Sequence, residues 1–393
     1  MLNKNLVILS LSQIFSFTAA PITVFLSGII GSQISPIKSL STLPMSISVV
    51  GIAVGAIFAT KLMSLIGRKA GFIFASLGNS LVSLLAAYSI MEQNFILFCF
   101  ANFFLGVGMA FTHQYRFAAA ESVEKDKIPK AISIILLGGI ISAFIGPGIA
   151  NYSKDIVSDQ LYVGSYISLS ILMFIPVILF LFYENILKLK SEIKYSGRSY
   201  LELISQPKFL QAMIASAFGY AIMTFLMTAT PLSMHVMEKM SLDKTSMVIQ
   251  FHVASMFLPS LLTGHLIKKI GHSLVMYAGI FLYSITILIS FFDQTYMNYM
   301  FALIFLGLGW NFLFISGTSL LVLTYKEEEK FKAQGLNDFI VYSIHATGSL
   351  SAGILIVLTN WKFMNMMCIP LLIIIVLTIL RADIHSKKLI KNN

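Results

Sequence analysis

The chain has 393 residues, of which 57% are hydrophobic and only 11% charged, and its net charge is +10 at neutral pH. Soluble domains carry about 25% charged residues, so a water-exposed surface is excluded for most of this chain, and lipid is the predicted surrounding. The basic residues stand in short loops rather than along one face of a domain, which argues against nucleic-acid binding.

Twelve apolar runs follow one another along the chain, and each is long enough to cross the hydrocarbon core of a bilayer as a helix. A helix is predicted for each run because a strand would leave its backbone groups unpaired in lipid. The predicted spans cover residues 6–31, 40–63, 70–90, 95–120, 129–151, 161–185, 208–234, 244–267, 273–292, 297–324, 333–358 and 361–381.

The distribution of basic residues predicts how these spans are oriented. With both termini placed inside, the outer loops receive only five of the 27 lysines and arginines. These five are Lys38, Lys154, Lys239, Lys244 and Lys362. Because basic residues collect in the inner loops of membrane proteins, this asymmetry favours twelve spans with cytoplasmic termini.

Three short segments of the chain recur in the same order at nearly constant spacing. The matching pairs are residues 104–111 with 305–312, 18–21 with 228–231, and 66–67 with 270–271. Such recurrence indicates two related halves. Parallel repeats of membrane helices are typical of secondary transporters, in which the substrate site lies between the repeats.

The longest polar interval, residues 186–207, lies at the middle of the chain and is too short for a domain of its own. We interpret it as a cytoplasmic linker. The predicted organisation is an N-terminal six-helix bundle over 1–185, this linker, and a C-terminal six-helix bundle over 208–393. The predicted fold class is therefore an all-α membrane protein with twelve transmembrane helices in two pseudo-symmetric six-helix bundles.

Glycines and basic residues mark the loop between predicted spans 2 and 3 and the equivalent loop of the second half. The residues are Gly67, Arg68 and Lys69 in the first loop and Gly264, Lys269 and Gly271 in the second. This pattern is typical of a tight turn that holds basic side chains at the inner membrane face. Topogenic charge alone is the alternative interpretation.

Predicted span 5 contains Gly146 and Pro147 within a run of small residues. Small residues allow close helix approach and proline bends a helix, so ordinary packing is one interpretation. The twelve spans, the repeat, the two loop motifs and this Gly-Pro motif together resemble the major facilitator superfamily. The resemblance is to a bacterial branch whose members mostly have no assigned substrate.

The resemblance implies a secondary active transporter that works by alternating access, with a proton as the expected coupling ion. The pair Gly146 and Pro147 resembles a motif of the superfamily's exporters, which favours export by an antiporter. The sequence departs from the family at two positions, and the first of them, at Asn102, keeps uptake open as the alternative. The arginine of the proton-coupled exporters is replaced by Asn102, and the acid of the family's loop motif is replaced by Ser64.

On span 4, Asn102, His113 and Arg116 recur at helical spacing and form one stripe, which the resemblance places at the central cavity. We interpret them as candidates for substrate binding or proton coupling. For Arg116 the alternative is a snorkelling helix terminus or an ion pair with Glu121. For His113 the alternative is a hydrogen-bonded packing histidine.

On span 11, Asp338 is the one acid placed well inside a predicted span, and His345 shares its stripe. A buried carboxylate takes up a proton readily because burial penalises its charge. We therefore predict that Asp338→Asn abolishes coupled transport and leaves folding intact. The alternatives are stabilisation of the helix N-terminus and a pair with Arg68.

Four further residues are predicted to line the substrate path, namely Gln250, His252, Trp310 and Asn311. Trp310 can stack on an organic substrate, with packing as the alternative. The histidines at 113, 252 and 345 lack ligand spacing, so no metal site is expected.

The preferred function is proton-coupled export of a small organic solute across the bacterial cytoplasmic (inner) membrane. The alternatives are an uptake permease for a nutrient or an iron-siderophore, and a non-transporting membrane receptor on the same scaffold. The sequence contains no phosphate loop and no catalytic constellation, so an enzyme is not expected. The expected partners are the solute, a proton and the lipid bilayer, with no cofactor, no nucleic acid and a monomeric state.

Overall fold

The computed structural model describes residues 3–37, 40, 43–157, 161–185 and 197–392, and the regular structure within these ranges is helical. The helices up to residue 185 are α1 (Lys4–Ser16), α2 (Ala19–Ile34), α3 (Leu43–Met91), α4 (Phe95–His113), α5 (Tyr115–Glu121), α6 (Ile128–Tyr152) and α7 (Val163–Leu181). Those that follow are α8 (Tyr200–Ser205), α9 (Pro207–Pro231), α10 (Leu242–Phe257), α11 (Ser260–Ile270), α12 (His272–Ile289), α13 (Tyr296–Val322), α14 (Lys330–Leu358), α15 (Trp361–Met367) and α16 (Ile369–Asn392).

Nine helical segments in the described part of the chain are long and apolar enough to cross a membrane. Predicted spans 2 and 3 form one of them, the 49-residue helix α3, which is broken at Gly67. Predicted spans 5 and 11 are present as α6 and α14 but are not among the nine. The membrane character is thus established, and the count of twelve spans stays a prediction.

The chain divides into two compact units. The first comprises Met1–Lys125, Ile134–Tyr195 and Gln334–Tyr342, and the second comprises Asp126–Ser133, Ser196–Ala333 and Ser343–Asn393. Each unit therefore includes a short segment that the sequence places in the other half. The predicted linker falls largely on residues 186–196, outside the described residues.

Two of the helix irregularities lie next to prolines, at Pro21 and Pro231. Pro21 has no N–H to donate to the carbonyl oxygen of Phe17, which accepts from the Ala20 amide at 3.1 Å instead. The helix is interrupted there, between α1 and α2. Pro231 ends α9, and a π-helical turn, Leu232–Met237, follows it. Proline chemistry thus explains both irregularities.

The repeated glycines make equivalent helix crossings in the two units. A Cβ atom on Gly106 would lie 1.9 Å from the carbonyl oxygen of Ser48, and one on Gly307 would lie 2.7 Å from that of His252. Ser48 and His252 are themselves 204 positions apart. The sequence repeat therefore preserves close backbone contacts between helices, which only glycine permits.

Candidate functional site

A buried ion pair joins Arg116 and Asp338 within the first unit. Arg116 lies in the first turn of α5, Asp338 lies in α14, and their side chains are 3% and 1% exposed. The guanidinium Nη2 donates to Oδ1 of the carboxylate. Gly335 brings α14 close to α3, because a Cβ atom there would lie 2.4 Å from Thr60 Oγ1.

Gln114 connects this pair to a second one. It occupies the break between α4 and α5 and is fully buried. Its Nε2 donates to Asp338 Oδ2 at 2.8 Å, and its Oε1 accepts from Arg68 Nη1 at 3.2 Å. Asn337 Nδ2 also donates to Asp338 Oδ1, at 2.9 Å. The Asp338 carboxylate therefore accepts three hydrogen bonds.

The second pair is formed by Arg68 and Glu121, whose side chains are 6% and 11% exposed. Arg68 Nε donates to Glu121 Oε2 at 3.0 Å and Arg68 Nη2 to Oε1 at 2.6 Å, which is the bidentate geometry of strong arginine–carboxylate pairs. Arg68 Nη2 also donates to Gln334 Oε1 at 2.7 Å. Gln334 belongs to α14, so this helix contacts both ion pairs.

We call these six residues the polar cluster: Arg68, Gln114, Arg116, Glu121, Gln334 and Asp338. It holds two cations and two anions and is therefore neutral overall. Charges within a membrane protein are costly unless they are paired, and charged residues inside the bilayer commonly mark ion or proton pathways. Adding a proton to either carboxylate would leave one arginine uncompensated, so the cluster is able to couple protonation to helix contacts.

The sequence predicts the charged members of this cluster but with other partners. Its alternatives pair Glu121 with Arg116, and Arg68 with Asp338. In the structure these partners are exchanged. The role of Gln114 was missed. A long polar residue between two otherwise apolar helical stretches was the available signal, but the break in span 4 could not be seen.

Gly67 and Lys69 hold the loop that presents Arg68. Gly67 has φ 83° and ψ 166°, a conformation essentially limited to glycine, and it breaks α3. The Lys69 amide donates to Asn185 Oδ1 at 3.0 Å, and its Nζ donates to the carbonyl oxygen of Leu181 at 2.6 Å, at the C-terminus of α7. The motif therefore combines a turn with a cation at a helix C-terminus, where positive charge is favourable.

Asn102 and His113 lie on the same helix but differ in how they are used. Asn102 is fully buried, accepts from Ser27 Oγ at 3.1 Å and donates to the carbonyl oxygen of Phe98 at 2.8 Å. Its Oδ1 therefore joins α4 to α2, and its Nδ2 bonds back to the preceding turn of α4. His113 is half-buried and its ring stacks on Tyr342, with the ring centroids 4.6 Å apart.

Five aromatic rings of the second unit form what we call the aromatic cluster: Tyr220, Phe257, Trp310, Phe314 and His345. Trp310 stacks on Phe314 at 4.8 Å with 14° between the ring planes, and Tyr220 and Phe257 contact it edge-on at 5.4 and 5.8 Å. The His345 ring lies 4.4 Å from Tyr220. Trp310 and His345, both predicted site residues, are thus brought together through Tyr220.

Asn311, the neighbour of Trp310, is fully buried and is used for packing. Its Nδ2 donates to the carbonyl oxygen of Met256 at 2.6 Å and to Ser260 Oγ at 2.7 Å, and its Oδ1 accepts from Thr263 Oγ1 at 2.6 Å. These partners flank the break between α10 and α11. Asn311 therefore holds this helix break.

The two predicted site residues of α10 have opposite surroundings. His252 is fully buried, with Nδ1 2.7 Å from the carbonyl oxygen of Leu303, whereas Gln250 is exposed. Because a carbonyl oxygen only accepts, His252 carries its proton on Nδ1. The structure therefore places these two residues on different faces of one helix.

The remaining motif residues are accounted for by backbone geometry. A Cβ atom on Gly264 would lie 2.8 Å from Lys130 Cα, and one on Gly146 would lie 2.9 Å from the Pro21 ring. Gly271 has φ 86° and ψ 165°, and Lys269 is exposed. The side chain of Pro147 lies outside the described residues.

A further ion pair lies in the second unit, outside the spanning segments. Glu329 is 1% exposed at its side chain and pairs with Arg198, whose Nε lies 2.8 Å from Glu329 Oε1. The hydrogen bonds from Arg198 lower the pKa of Glu329 to about 2. Lys332 Nζ also donates to the carbonyl oxygen of Arg198 at 2.7 Å, so three charged side chains hold residues 198 and 329 together.

Long apolar helices, two repeated sets of helix crossings and paired charges buried among them define a multi-pass membrane transporter. The chain belongs to the Major Facilitator Superfamily, whose family model matches residues 6–344 and, a second time, residues 251–392. Members of this superfamily are transporters rather than enzymes.

Three known proteins illustrate the similarity. The chain is 32% identical over 379 residues to the riboflavin transporter RfnT of Brucella anthropi, covering 96% of this chain and 95% of RfnT. The human organic anion transporter MFSD10 superimposes with a TM-score of 0.77 at 10% identity, covering 96% of this chain and 99% of that one. The transporter FucP, solved in the outward conformation, gives 0.68 at 16% identity, covering 94% and 97%. The two solved structures support the fold alone.

Proposed function

We propose that the protein is a twelve-span secondary transporter that moves riboflavin or a closely related flavin by alternating access. The observation that carries this proposal is the 32% identity to a riboflavin transporter over nearly the whole of both chains. The sequence repeat and the asymmetry of basic residues support twelve spans with cytoplasmic termini in the bacterial cytoplasmic membrane. No cofactor is required, and the monomer is the functional unit.

The proposed direction is uptake, with protons entering alongside the flavin. The sequence motif at Gly146 and Pro147 favours export, but Gly146 has a packing explanation, because a Cβ atom there would lie 2.9 Å from the Pro21 ring. The exporters' arginine is replaced by Asn102, whose amide is used by Ser27 and Phe98. Both observations support uptake of a vitamin over proton-driven export.

The proposed coupling group is Asp338. Its carboxylate is buried against Arg116 and hydrogen-bonded by Gln114, so protonation would weaken three contacts at once. Proton transfer to a buried carboxylate is a common element of coupled transport. Loss of these contacts would release α14 from the polar cluster and favour a different arrangement of the helices.

Membrane vesicles of defined orientation test direction and coupling together. In right-side-out vesicles we expect labelled riboflavin to accumulate when the outside is made acidic, and to exchange without a gradient in counterflow. Vesicles preloaded with riboflavin that lose it faster under the same gradient would instead establish export by antiport. Iron-siderophores and unrelated nutrients serve as competitors and are expected to have no effect.

Two variants sharpen this test. The double variant Arg116→Gln/Asp338→Asn removes both charges and is expected to keep counterflow but lose gradient-driven accumulation. Asp126→Asn, in an exposed pair with Lys268, is the matched control and is expected to transport normally. A protein that melts cooperatively but shows no riboflavin counterflow would overturn the flavin proposal. Riboflavin binding without flux would instead support the receptor alternative.

A further inference from the structure

The aromatic cluster carries a feature that packing alone does not explain. Trp310 is 2% exposed, and no hydrogen-bond acceptor contacts its Nε1 in the part of the chain that the structure describes. A buried donor without an acceptor costs free energy, and tryptophan normally finds a partner when it is buried. A phenylalanine would fill the same place without that cost, so the retained N–H needs a different explanation.

The rings around Trp310 differ in how far they are buried. Phe257 and Phe314, which contact it, are 5% and 3% exposed. Tyr220 and His345 are half-buried, and their rings lie against each other at 4.4 Å with 34° between the planes. Tyr220 also contacts Trp310 edge-on. The partly exposed members of the aromatic cluster are therefore two rings tilted by 34° against each other, one of which contacts Trp310 edge-on.

Such a surface fits a flat, conjugated heterocycle. Aromatic faces stack on planar ring systems with little demand for a particular substituent pattern. The Trp310 N–H is a hydrogen-bond donor that matches the carbonyl oxygens and ring nitrogens at the edge of a flavin. An aliphatic organic acid has no planar ring to stack on these faces.

We propose that the aromatic cluster is the subsite for the ring system of the transported flavin. The flavin ring stacks on Tyr220 and His345, and a shift of the Tyr220 ring that keeps this stacking lets the Trp310 Nε1–H donate to a carbonyl oxygen of the flavin. This inference rests on the proposed function, because it assigns the residues that would hold the flavin ring. It lies wholly within the second unit.

Riboflavin fluorescence, which is quenched when the flavin stacks on tryptophan or tyrosine, tests the proposal with purified full-length protein in detergent. Trp310→Phe keeps an aromatic ring but removes the N–H and the second ring of the indole, and we expect its dissociation constant to rise roughly 3- to 10-fold. Tyr220→Ala removes a stacking face, and we expect its affinity for riboflavin to fall on the order of tenfold or more, with weaker quenching of the flavin fluorescence.

The chain provides a matched control because it has only two tryptophans. Trp361 is 3% exposed and packs against Tyr299 rather than in the aromatic cluster. Trp361→Phe is therefore expected to bind riboflavin as the unmodified protein does. Lumichrome, which has the ring system without the ribityl chain, should compete with riboflavin, whereas ribitol should not.

The outcomes separate the two levels of the proposal. Riboflavin binding that is unchanged in both Trp310→Phe and Tyr220→Ala, or competition by ribitol but not by lumichrome, would overturn the subsite and leave flavin transport standing. Absence of riboflavin binding and of riboflavin counterflow in the unmodified protein would overturn the function and the subsite together. If Trp310→Phe fails to melt cooperatively, the half-buried Tyr220 and the competition experiment still decide.

Discussion

The two loops that follow the repeated Ile-Gly pairs share a backbone and differ in what they hold. Gly67 has φ 83° and ψ 166°, and Gly271 has φ 86° and ψ 165°. After Gly67, Arg68 is 5% exposed and donates to Glu121, Gln114 and Gln334. The same turn thus leads into the polar cluster in the first unit.

In the second unit the corresponding position is His272, which is half-buried, and the next residue forms the polar contacts. Ser273 Oγ donates to Asp383 Oδ1 at 2.7 Å and accepts from Gln211 Nε2 at 3.0 Å. No arginine and no buried ion pair lies at this turn among the described residues. Both turns have the same glycine geometry, whereas the buried charges are present in only one of them.

The two turns separate what the backbone requires from what the surrounding side chains require. A glycine at positive φ is required by the backbone, so both halves retain it. A buried arginine is tolerated only where acceptors from several helices converge, because an unpaired charge in the interior is strongly destabilising. The comparison therefore makes the polar cluster the place where substitutions should have their largest effects.

The largest loss of stability is expected when one charge is removed from the Arg116–Asp338 pair. Asp338→Asn leaves Arg116 without its carboxylate, and we expect a loss of about 3–5 kcal/mol in unfolding free energy. The structure thus changes the expectation that this variant folds normally. Thermal or denaturant unfolding of the purified protein measures the effect.

The double variant Arg116→Gln/Asp338→Asn controls for this interpretation. Because it leaves no lone charge, it should recover most of the stability lost by either single variant. Glu184→Gln, at the exposed pair with Lys4, should change the melt little. A double variant no more stable than the worse single variant would contradict the pairing argument.

Alanine at the two glycines tests the shared turn. Both positions have a backbone conformation that costs about 1–3 kcal/mol for other residues. Gly67→Ala should be the more damaging, because its Cβ atom would lie 3.0 Å from Asn185 Nδ2 while nothing lies within 4 Å at Gly271. Gly78→Ala, in the middle of α3 with open space around it, is expected to be neutral or slightly stabilising. Unfolding of the purified variants measures the losses of unfolding free energy. Equal losses at Gly67 and Gly271 would mean that the Asn185 contact does not contribute.

The elements that were predictable are those with a local cause. Apolar runs predicted the helical stretches, and the recurring glycines predicted the related halves, because helix length and close approach depend on residues near in sequence. The polar cluster was predictable only as a set of charged candidates. The pairing of its charges depends on the hydrogen bonds of Gln114. The position of Gln114 in turn depends on a break in span 4 that no proline or glycine marks.

Several candidates that looked functional from sequence are used for structure. Asn102 and Asn311 are predicted site residues, but both amides are hydrogen-bonded to neighbouring helices. A polar residue on an apolar helix has two ways to be satisfied, by a ligand or by another helix. Helical spacing alone does not distinguish them, since the partner lies far away in sequence.

The second unit has a buried acid of its own, Glu329, and its contribution to stability is expected to depend on pH. The pKa of Glu329 is lowered to about 2, so its pairing with Arg198 stabilises the protein above the ordinary glutamate range near 4.5 and is lost as the pH falls toward 2. We expect Glu329→Gln to lose on the order of 1–3 kcal/mol at neutral pH and to flatten the decline of stability over that acidic interval. Unfolding curves from pH 6 to pH 2 measure this, and an unchanged acid slope would rule out the pair as its cause.

The smallest effect is expected at the exposed pair of Lys268 and Asp126, in the second unit. The atoms are 3.0 Å apart, a distance like those in the polar cluster, but the side chains are 63% and 52% exposed. Water and salt screen such a pair, so Asp126→Asn should leave the melting temperature nearly unchanged, and added salt should remove any difference. Melting temperatures of Asp126→Asn and Asp338→Asn, measured at low and high ionic strength, test this difference. Since the two pairs differ chiefly in burial, similar losses at both would show that exclusion from water is not what makes the polar cluster sensitive.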